Sequence, residues 1–324
     1  MNEKLIDILT CPKCKDNIEI SNIEYQKNDT IIHGTLKCDC GCEYPIINGL
    51  PRMINEINVD VKKTKQVYSK EWDLYDYNDE NDDTWLNLDE EKRVKRFLTA
   101  FGIKPEDLKG KTVLDAGCGN GRLSHSISKL GCHVFAFDIS SGIEHAAKKY
   151  RNKNLHYIQA DITNIPLKEK SFDYIWSAGV LHHTPDTKKS FKNLVPLLKK
   201  KGTLYVWVYG WYKRNLKAIL WWGGWKFIMI WPDFIKEFFC NLYVPCRVLK
   251  EAIMLKKPIT SKSARQKRRA FYDNINQYMY HHHPNEVKHW FSQHNFKNIE
   301  IPIEDFDTFC GFGTRGIKTK YSKM

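Results

Sequence analysis

No stretch of this chain is both apolar enough and long enough to cross a bilayer. The stretch from Ala218 to Trp225 holds two glycines and stops at Lys226, where a span needs roughly 20 residues. The first residues, MNEKLIDILT, have no apolar h-region, so no secretory signal is expected and the default location is cytoplasmic. Core-forming residues are not in short supply. With 42% hydrophobic, 13% aromatic and 27% charged residues, a mainly disordered, collagen-like or repeat-dominated chain is excluded. A length of 324 residues allows roughly two domains. What the later part lacks is acid. From Lys111 onward there are 35 Lys and Arg against 16 Asp and Glu, a surplus of 19, whereas residues 1–110 carry 16 against 22. The surplus favours an anionic partner such as nucleic acid, a phosphorylated metabolite or a lipid surface; solvated helix faces account for it equally well.

Five of the ten cysteines fall within the first 42 residues: Cys11, Cys14, Cys38, Cys40 and Cys42. Without an export signal, this clustering points to metal rather than disulfides. Cys11-Pro12-Lys13-Cys14 puts two thiolates on one turn, and Cys38-Asp39-Cys40-Gly41-Cys42 offers a second turn. Two such knuckles suit tetrahedral zinc, and the β-rich runs around Asn28-Asp29 suit a zinc ribbon. The expected ligands are Cys11, Cys14, Cys38 and Cys40, with Cys42 the alternative to Cys40. The runs LTCPKC and LKCDCGCEYPIINGLPRM resemble the zinc-ribbon domain related to the tRNA-methyltransferase activator protein, over residues 1–55. The resemblance implies a structural metal, with Tyr44 to Pro51 forming the exit from the ribbon.

Residues from Lys62 to Gly110 are polar and helix-prone, with an acidic loop from Asp73 to Asp83, and read as a connector and partial lid. From Lys111, short apolar runs (TVLDAG, HVFAFD, LHYIQAD, FDYIWSAG, TLYVWVY) alternate with amphipathic segments of helical length. That alternation predicts an α/β fold, a parallel doubly wound sheet. At the end of its first strand stands Asp115-Ala116-Gly117-Cys118-Gly119-Asn120-Gly121, where glycines let the backbone turn sharply against a ligand. Arg122 occupies a position where a dinucleotide fingerprint has Gly or Ala, and a carboxylate opening the motif suits a cationic ligand better than phosphates. Asp138 ends the second strand, where it can take both ribose hydroxyls. Asp161 ends the third, where its side chain and the next amide can reach an adenine edge. Each aspartate alone is more often a helix cap; successive strand ends in this order are not explained by capping.

The segments VLDAGCGNGRLS, VFAFDIS, ADITNIPLKEKSFDYIWSAGVLHHTPD and LVPLLKKKGTLYVWVYG resemble class I S-adenosylmethionine-dependent methyltransferases, particularly the ubiquinone and menaquinone biosynthesis branch. The resemblance implies a doubly wound Rossmann-like methyltransferase sheet. It implies that Asp115, Gly117 and Gly119 hold the methionine part of the cofactor, Asp138 the ribose, and Asp161 and Ile162 the adenine, with Ser177 beneath the sulfonium and Ile139 also against the cofactor. Lys200-Lys201-Gly202 is expected to form the turn before the fifth strand. His182 and His183 follow the fourth strand at the ligand-binding edge and are the candidate general bases, His182 the preferred one. The tetrapeptide used in methylating base amines would follow strand four, where Ser177-Ala178-Gly179-Val180 stands instead. Pro245-Cys246 lies too far along the chain for cytosine-C5 chemistry, so no DNA partner is expected.

Residues 211–283 form an insertion rich in tryptophan and lysine, then SKSARQKRRAFYDNINQYMYHHHP; the helix NEVKHWFSQHNF and a closing hairpin complete a 62–324 catalytic domain whose cofactor-binding core is 111–210. A buried helical cap is favoured for the insertion over an interfacial segment, although peripheral membrane contact stays open. Arg265, Lys267, Arg268 and Arg269 could grip a phosphate or form a solvated face. One of His281, His282 and His283, which point different ways, is expected to line a pocket. Fused ribbon-methyltransferases end in a hairpin with a glycine-aromatic-glycine turn like Gly311-Phe312-Gly313. The leading expectation is therefore an S-adenosylmethionine-dependent methyltransferase with a structural zinc, acting on a small-molecule or lipid- or saccharide-linked acceptor. RNA methylation is the second reading and a non-catalytic partner protein binding through its ribbon the third.

Overall fold

The computed structural model describes residues 1, 3–54, 59–75, 88–210, 224, 227–228, 230–256, 258–275, 278–305 and 311–319. Most of the acidic loop and much of the tryptophan-rich stretch lie outside the described residues. Strands β1 (Glu19–Lys27), β2 (Thr30–Lys37), β3 (Glu43–Ile47) and β4 (Leu50–Pro51) form an antiparallel sheet in that order. Its hairpins turn on residues that tolerate the left-handed region: Asn28 at φ 52, and Asn48 with Gly49 at φ 54 and 79, as two-residue β-turns require. β1 is almost wholly exposed, whereas Ile31, Leu36, Tyr44 and Ile46 are buried.

Those buried residues share one core with the following domain, packing in a cluster with Phe135, Phe137, Ile158 and Phe172. Backbone pairing reinforces the junction. Leu9 bridges Leu167, with Thr10 N donating to Pro166 O at 3.0 Å and Lys168 N to Ile8 O at 2.8 Å. Arg52 pairs in parallel with Gln159, and its guanidinium donates to Glu144 Oε1 at 2.6 Å and Gln159 Oε1 at 2.7 Å. The exit from the ribbon thereby covers an otherwise open sheet edge.

After α1 (Val59–Asp73) and α2 (Glu90–Phe101) come β5 (Thr112–Ala116), α3 (Arg122–Ser128), β6 (His133–Asp138), α4 (Gly142–Lys149), β7 (Leu155–Gln159), β8 (Phe172–Ala178), α5 (Thr187–Leu194) and β9 (Leu198–Tyr209). Then follow α6 (Asp233–Leu255), α7 (Ser261–Asn274), α8 (Pro284–Gln293), β10 (Phe296–Glu304) and β11 (Gly311–Lys318). The seven strands stand in the order β10-β11-β9-β8-β5-β6-β7. β9, β8, β5, β6 and β7 are mutually parallel, and β11 runs antiparallel to both its neighbours. Apolar runs such as Val113 to Ala116 and Leu155 to Gln159 are buried throughout, as strands covered on both faces must be.

Lys200 to Gly202 lies within the span of β9, where Lys201 at φ 68 and a register shift against β8 between Phe172 and Tyr174 turn the chain before the pairing resumes at Thr203. One local expectation is corrected. Gly311-Phe312-Gly313 belongs to β11, because the Trp207 and Tyr205 rings occupy the space that side chains at Gly311 and Gly313 would need, with approaches of 2.1 and 1.9 Å. The described part of the insertion packs on α1, and one side of it is exposed where a buried cap was expected. Cys240, Val244 and Val248 of α6 pack with Phe271 and Tyr272 of α7 and with Val67 and Leu74 near α1. No helix among the described residues is long and apolar enough to cross a membrane.

Candidate functional site

The sheet order reverses between β5 and β8, and in open α/β sheets ligands bind outside the carboxyl ends of strands at such a point. A cavity of about 230 Å³ lies there. The loop leaving β5 turns through Gly117, Gly119 and Gly121, at φ 86, 52 and 70. Its amides are tied to β6: Gly117 N and Cys118 N donate to Phe137 O at 2.8 and 3.0 Å, and Gly119 N donates to Asp138 Oδ2 at 2.8 Å. Asp138 Oδ1 accepts from Ser140 N at 2.8 Å and Ser140 Oγ at 2.5 Å. Glycine is required at 119, where a Cβ would meet the Trp72 ring at 2.1 Å.

Asp115, Gly117, Gly119, Asp138, Ile139, Asp161 and Ile162 all line the cavity. Asp115 is 2% exposed. Burial raises its carboxyl to about 7, against the lowering effect of Ser124 Oγ, which donates to it at 2.5 Å. Asp161 spends its side chain locally, accepting from Thr163 N at 2.8 Å and Thr163 Oγ1 at 2.6 Å, so it closes a turn at the cavity wall and caps no helix.

Two expected residues stand off this wall. Ser177 alternates with Trp176 and Ala178, which do face the cavity; the pleat turns its hydroxyl away, to donate to Ala116 O at 3.0 Å. His182 is fully buried against Trp207 and Tyr209, with ring centroids 5.9 and 4.1 Å away. Among the described residues neither ring nitrogen has a hydrogen-bond partner, and burial holds the imidazole well below its usual range.

His183, next in the short helical turn, points into the cavity instead. Its Nδ1 lies 3.0 Å from Tyr278 O. A carbonyl only accepts, so this contact assigns the proton to Nδ1 and makes Nε2 the unprotonated ring nitrogen. Nε2 faces Asp273 Oδ1 at 3.9 Å. Burial lowers His183 to about 4, opposed by the Tyr278 carbonyl, so the ring is neutral at pH 7. Burial also raises Asp273 to about 6, opposed by Tyr209, although 31% of its side chain stays exposed. Tyr209 Oη donates to Asp273 Oδ2 at 3.4 Å.

Sequence reasoning missed much of the outer wall. Tyr68, Glu71 and Trp72 reach it from α1, Tyr209 from the end of β9 and Asp273 from α7. The α1 residues stand at i, i+3 and i+4, one helix face, and that spacing was the available signal. Glu71 is buried, which raises its carboxyl well above the usual range, with Asp273 adding to the effect. Of the histidine triplet, His281 stacks on Tyr209 with centroids 5.6 Å apart, while His282 meets Glu286 at 3.0 Å. Arg269 lies over the Tyr75 ring at 3.7 Å, and Arg268 and Lys267 pair with Glu237 and Glu251.

In the ribbon, the sulfurs of Cys11, Cys14, Cys38 and Cys40 all lie within 4.8 Å of one another. Cys11 and Cys40 are 3.6 Å apart and Cys14 and Cys38 3.3 Å, near the ~3.8 Å edge of a tetrahedron with ~2.3 Å zinc–sulfur bonds. The donor set therefore fits zinc. Cys42 is outside this group; its carbonyl accepts from Cys38 N at 2.9 Å, shaping the knuckle through the backbone.

Residues 114–206 match the family described as Methyltransferase domain. The chain is 36% identical over 116 residues to a ubiquinone biosynthesis O-methyltransferase of Coxiella burnetii, covering 35% of this chain and 48% of that protein. It is 36% identical over 92 residues to a malonyl-[acyl-carrier protein] O-methyltransferase of Enterobacter lignolyticus, covering 28% and 36%. The chain thus spans at most about half the length of these curated relatives. A solved magnesium protoporphyrin IX methyltransferase of Synechocystis PCC 6803 with bound SAH aligns with a TM-score of 0.42 and 16% identity, covering 82% of this chain and 90% of that one. The stretch that matches a methyltransferase domain is the one whose acidic strand ends surround the cavity.

Proposed function

We propose that the protein transfers a methyl group from S-adenosylmethionine to a hydroxyl of a small-molecule or lipid- or saccharide-linked acceptor. One observation carries this reading: carboxylates from the ends of β5, β6 and β7 and a neutral imidazole from the loop after β8 converge on one cavity at the switch point. S-adenosylmethionine, when bound, supplies an electrophilic methyl on a sulfonium. Asp115, Gly117 and Gly119 hold its methionine part, Asp138 and Ile139 its ribose, and Asp161 and Ile162 its adenine. A cationic ligand offsets the cost of keeping Asp115 ionised out of water.

His183 Nε2 takes the proton of the acceptor hydroxyl, and the Tyr278 carbonyl keeps the ring in the tautomer that can do so. Tyr68 and Trp72 close the outer wall, aligning the acceptor and limiting water. The two O-methyltransferase relatives support an oxygen acceptor. Cys11, Cys14, Cys38 and Cys40 hold a structural zinc in a ribbon of residues 1–55, docked on a catalytic domain of residues 62–324. The test is transfer from methyl-labelled S-adenosylmethionine into extracted metabolites, with Asp138→Asn as the blank. A labelled small molecule or lipid is expected; labelled RNA as the sole product would overturn the reading.

A further inference from the structure

Helix α6 has two unlike sides. Cys240, Val244 and Val248 are buried against α7. At 3.6 residues per turn, Phe234, Phe238, Leu242, Leu249 and Ile253 fall on the opposite side, and each is between 52% and 74% exposed. Ile235, Phe239, Pro245, Cys246 and Ala252 complete that side, so no charged residue interrupts it from Phe234 to Ile253, a length of about 29 Å at ~1.5 Å per residue. An apolar face of this length on an otherwise polar surface marks an interaction site.

Charge selects the occupant. The stretch leading into α6, residues 211–232, contains five of the chain's ten tryptophans and four lysines and arginines, but no acidic residue. Phe227 and Ile230, just ahead of the helix, are 62% and 76% exposed. Lys250 and Lys256 stand beside the apolar face and at its end. A second copy would bring its own net charge of +13 against this one, whereas an anionic headgroup layer would be attracted. Tryptophan and lysine together with an amphipathic helix suit the plane of that layer.

We propose that the exposed face of α6 docks on an anionic lipid bilayer, its apolar side chains entering the headgroup layer and Lys250 and Lys256 resting at phosphate level. The inference stands whether or not the chain transfers methyl groups. The test is co-sedimentation of the full, zinc-loaded chain with vesicles of phosphatidylcholine alone and of phosphatidylcholine mixed with phosphatidylglycerol. Binding to the mixed vesicles is expected, weakened by salt and at least ~10-fold weaker without anionic lipid. The triple variant Phe238→Ser, Leu242→Ser, Leu249→Ser should lose at least another ~10-fold, with its circular dichroism and zinc content unchanged. Quenching of wild-type tryptophan fluorescence by brominated lipid provides a readout that needs no variant. No sedimentation with either vesicle, a variant that binds like the wild type, or self-association abolished by the same triple variant would each overturn the proposal.

Discussion

Asp115→Asn should make the ligand-free protein more stable at pH 8 while removing its affinity for the cofactor. Burial raises the Asp115 carboxyl from 3.8 to about 7, so between those values the folded chain holds a proton that the unfolded chain has released. Stability from this group is fully present below pH 3.8 and is lost as pH rises through 7. A shift of about 3 units, at ~1.36 kcal/mol each, makes the ionised carboxylate cost about 4 kcal/mol at pH 8. Asparagine has nearly the same shape and its Oδ1 can still accept from Ser124 Oγ, but its amide leaves a donor to satisfy, at about 1–3 kcal/mol. The net gain should be about 1–3 kcal/mol at pH 8, and it should shrink as pH is lowered toward 5. Urea unfolding at several pH values measures it, with unchanged m-values securing the comparison. A variant destabilised by the same amount at every pH would refute the claim that Asp115 is a charge held out of water for a ligand.

Other consequences follow from the same geometry. His183→Ala should lower kcat by ~10²- to 10⁴-fold while S-adenosylhomocysteine binding persists; His182→Ala should act mainly on stability, since that ring fills a packed site among Trp207 and Tyr209. Because His183 is held near 4, the limb due to its own protonation should lie near pH 4, below the titrations of Asp115 near 7 and Asp273 near 6; in the Asp273→Asn variant at saturating S-adenosylmethionine, a loss of rate already complete at pH 5 would exclude this ring as the base. Cys11→Ser and Cys38→Ser should lose the metal and Cys42→Ser should retain it, as read by zinc emission spectroscopy. Chelation should also lower the melting temperature of the whole chain, because the ribbon and the sheet share one core.

Local chemistry made part of this molecule legible in advance. The strands from Thr112 to Tyr209 announced themselves as short apolar runs, and the loop from Asp115 to Gly121 as a carboxylate followed by glycines. The cysteine knuckles were visible because thiolates at that spacing have few other uses. What escaped the sequence was side-chain direction and distant contact. Ser177 and His182 each stand one residue from a cavity-lining neighbour, and only the strand pleat or the short helical turn decides which of the pair faces inward. Tyr68, Glu71 and Trp72 lie in a polar segment whose helical spacing is diluted by lysines, and Asp273 sits about 90 residues beyond His183, so nothing local ties them together. The glycines at 311 and 313 look like a turn until the rings of Trp207 and Tyr205 are seen across the sheet.

The central claim is that the cavity at the β5–β8 switch point receives an adenosyl sulfonium compound or its demethylated product. Isothermal titration of S-adenosylhomocysteine into zinc-loaded protein tests it most directly. One-to-one binding is predicted for the wild type, with the heat lost in Asp138→Asn; the absence of heat from the wild type, or equal binding by both proteins, would contradict the account.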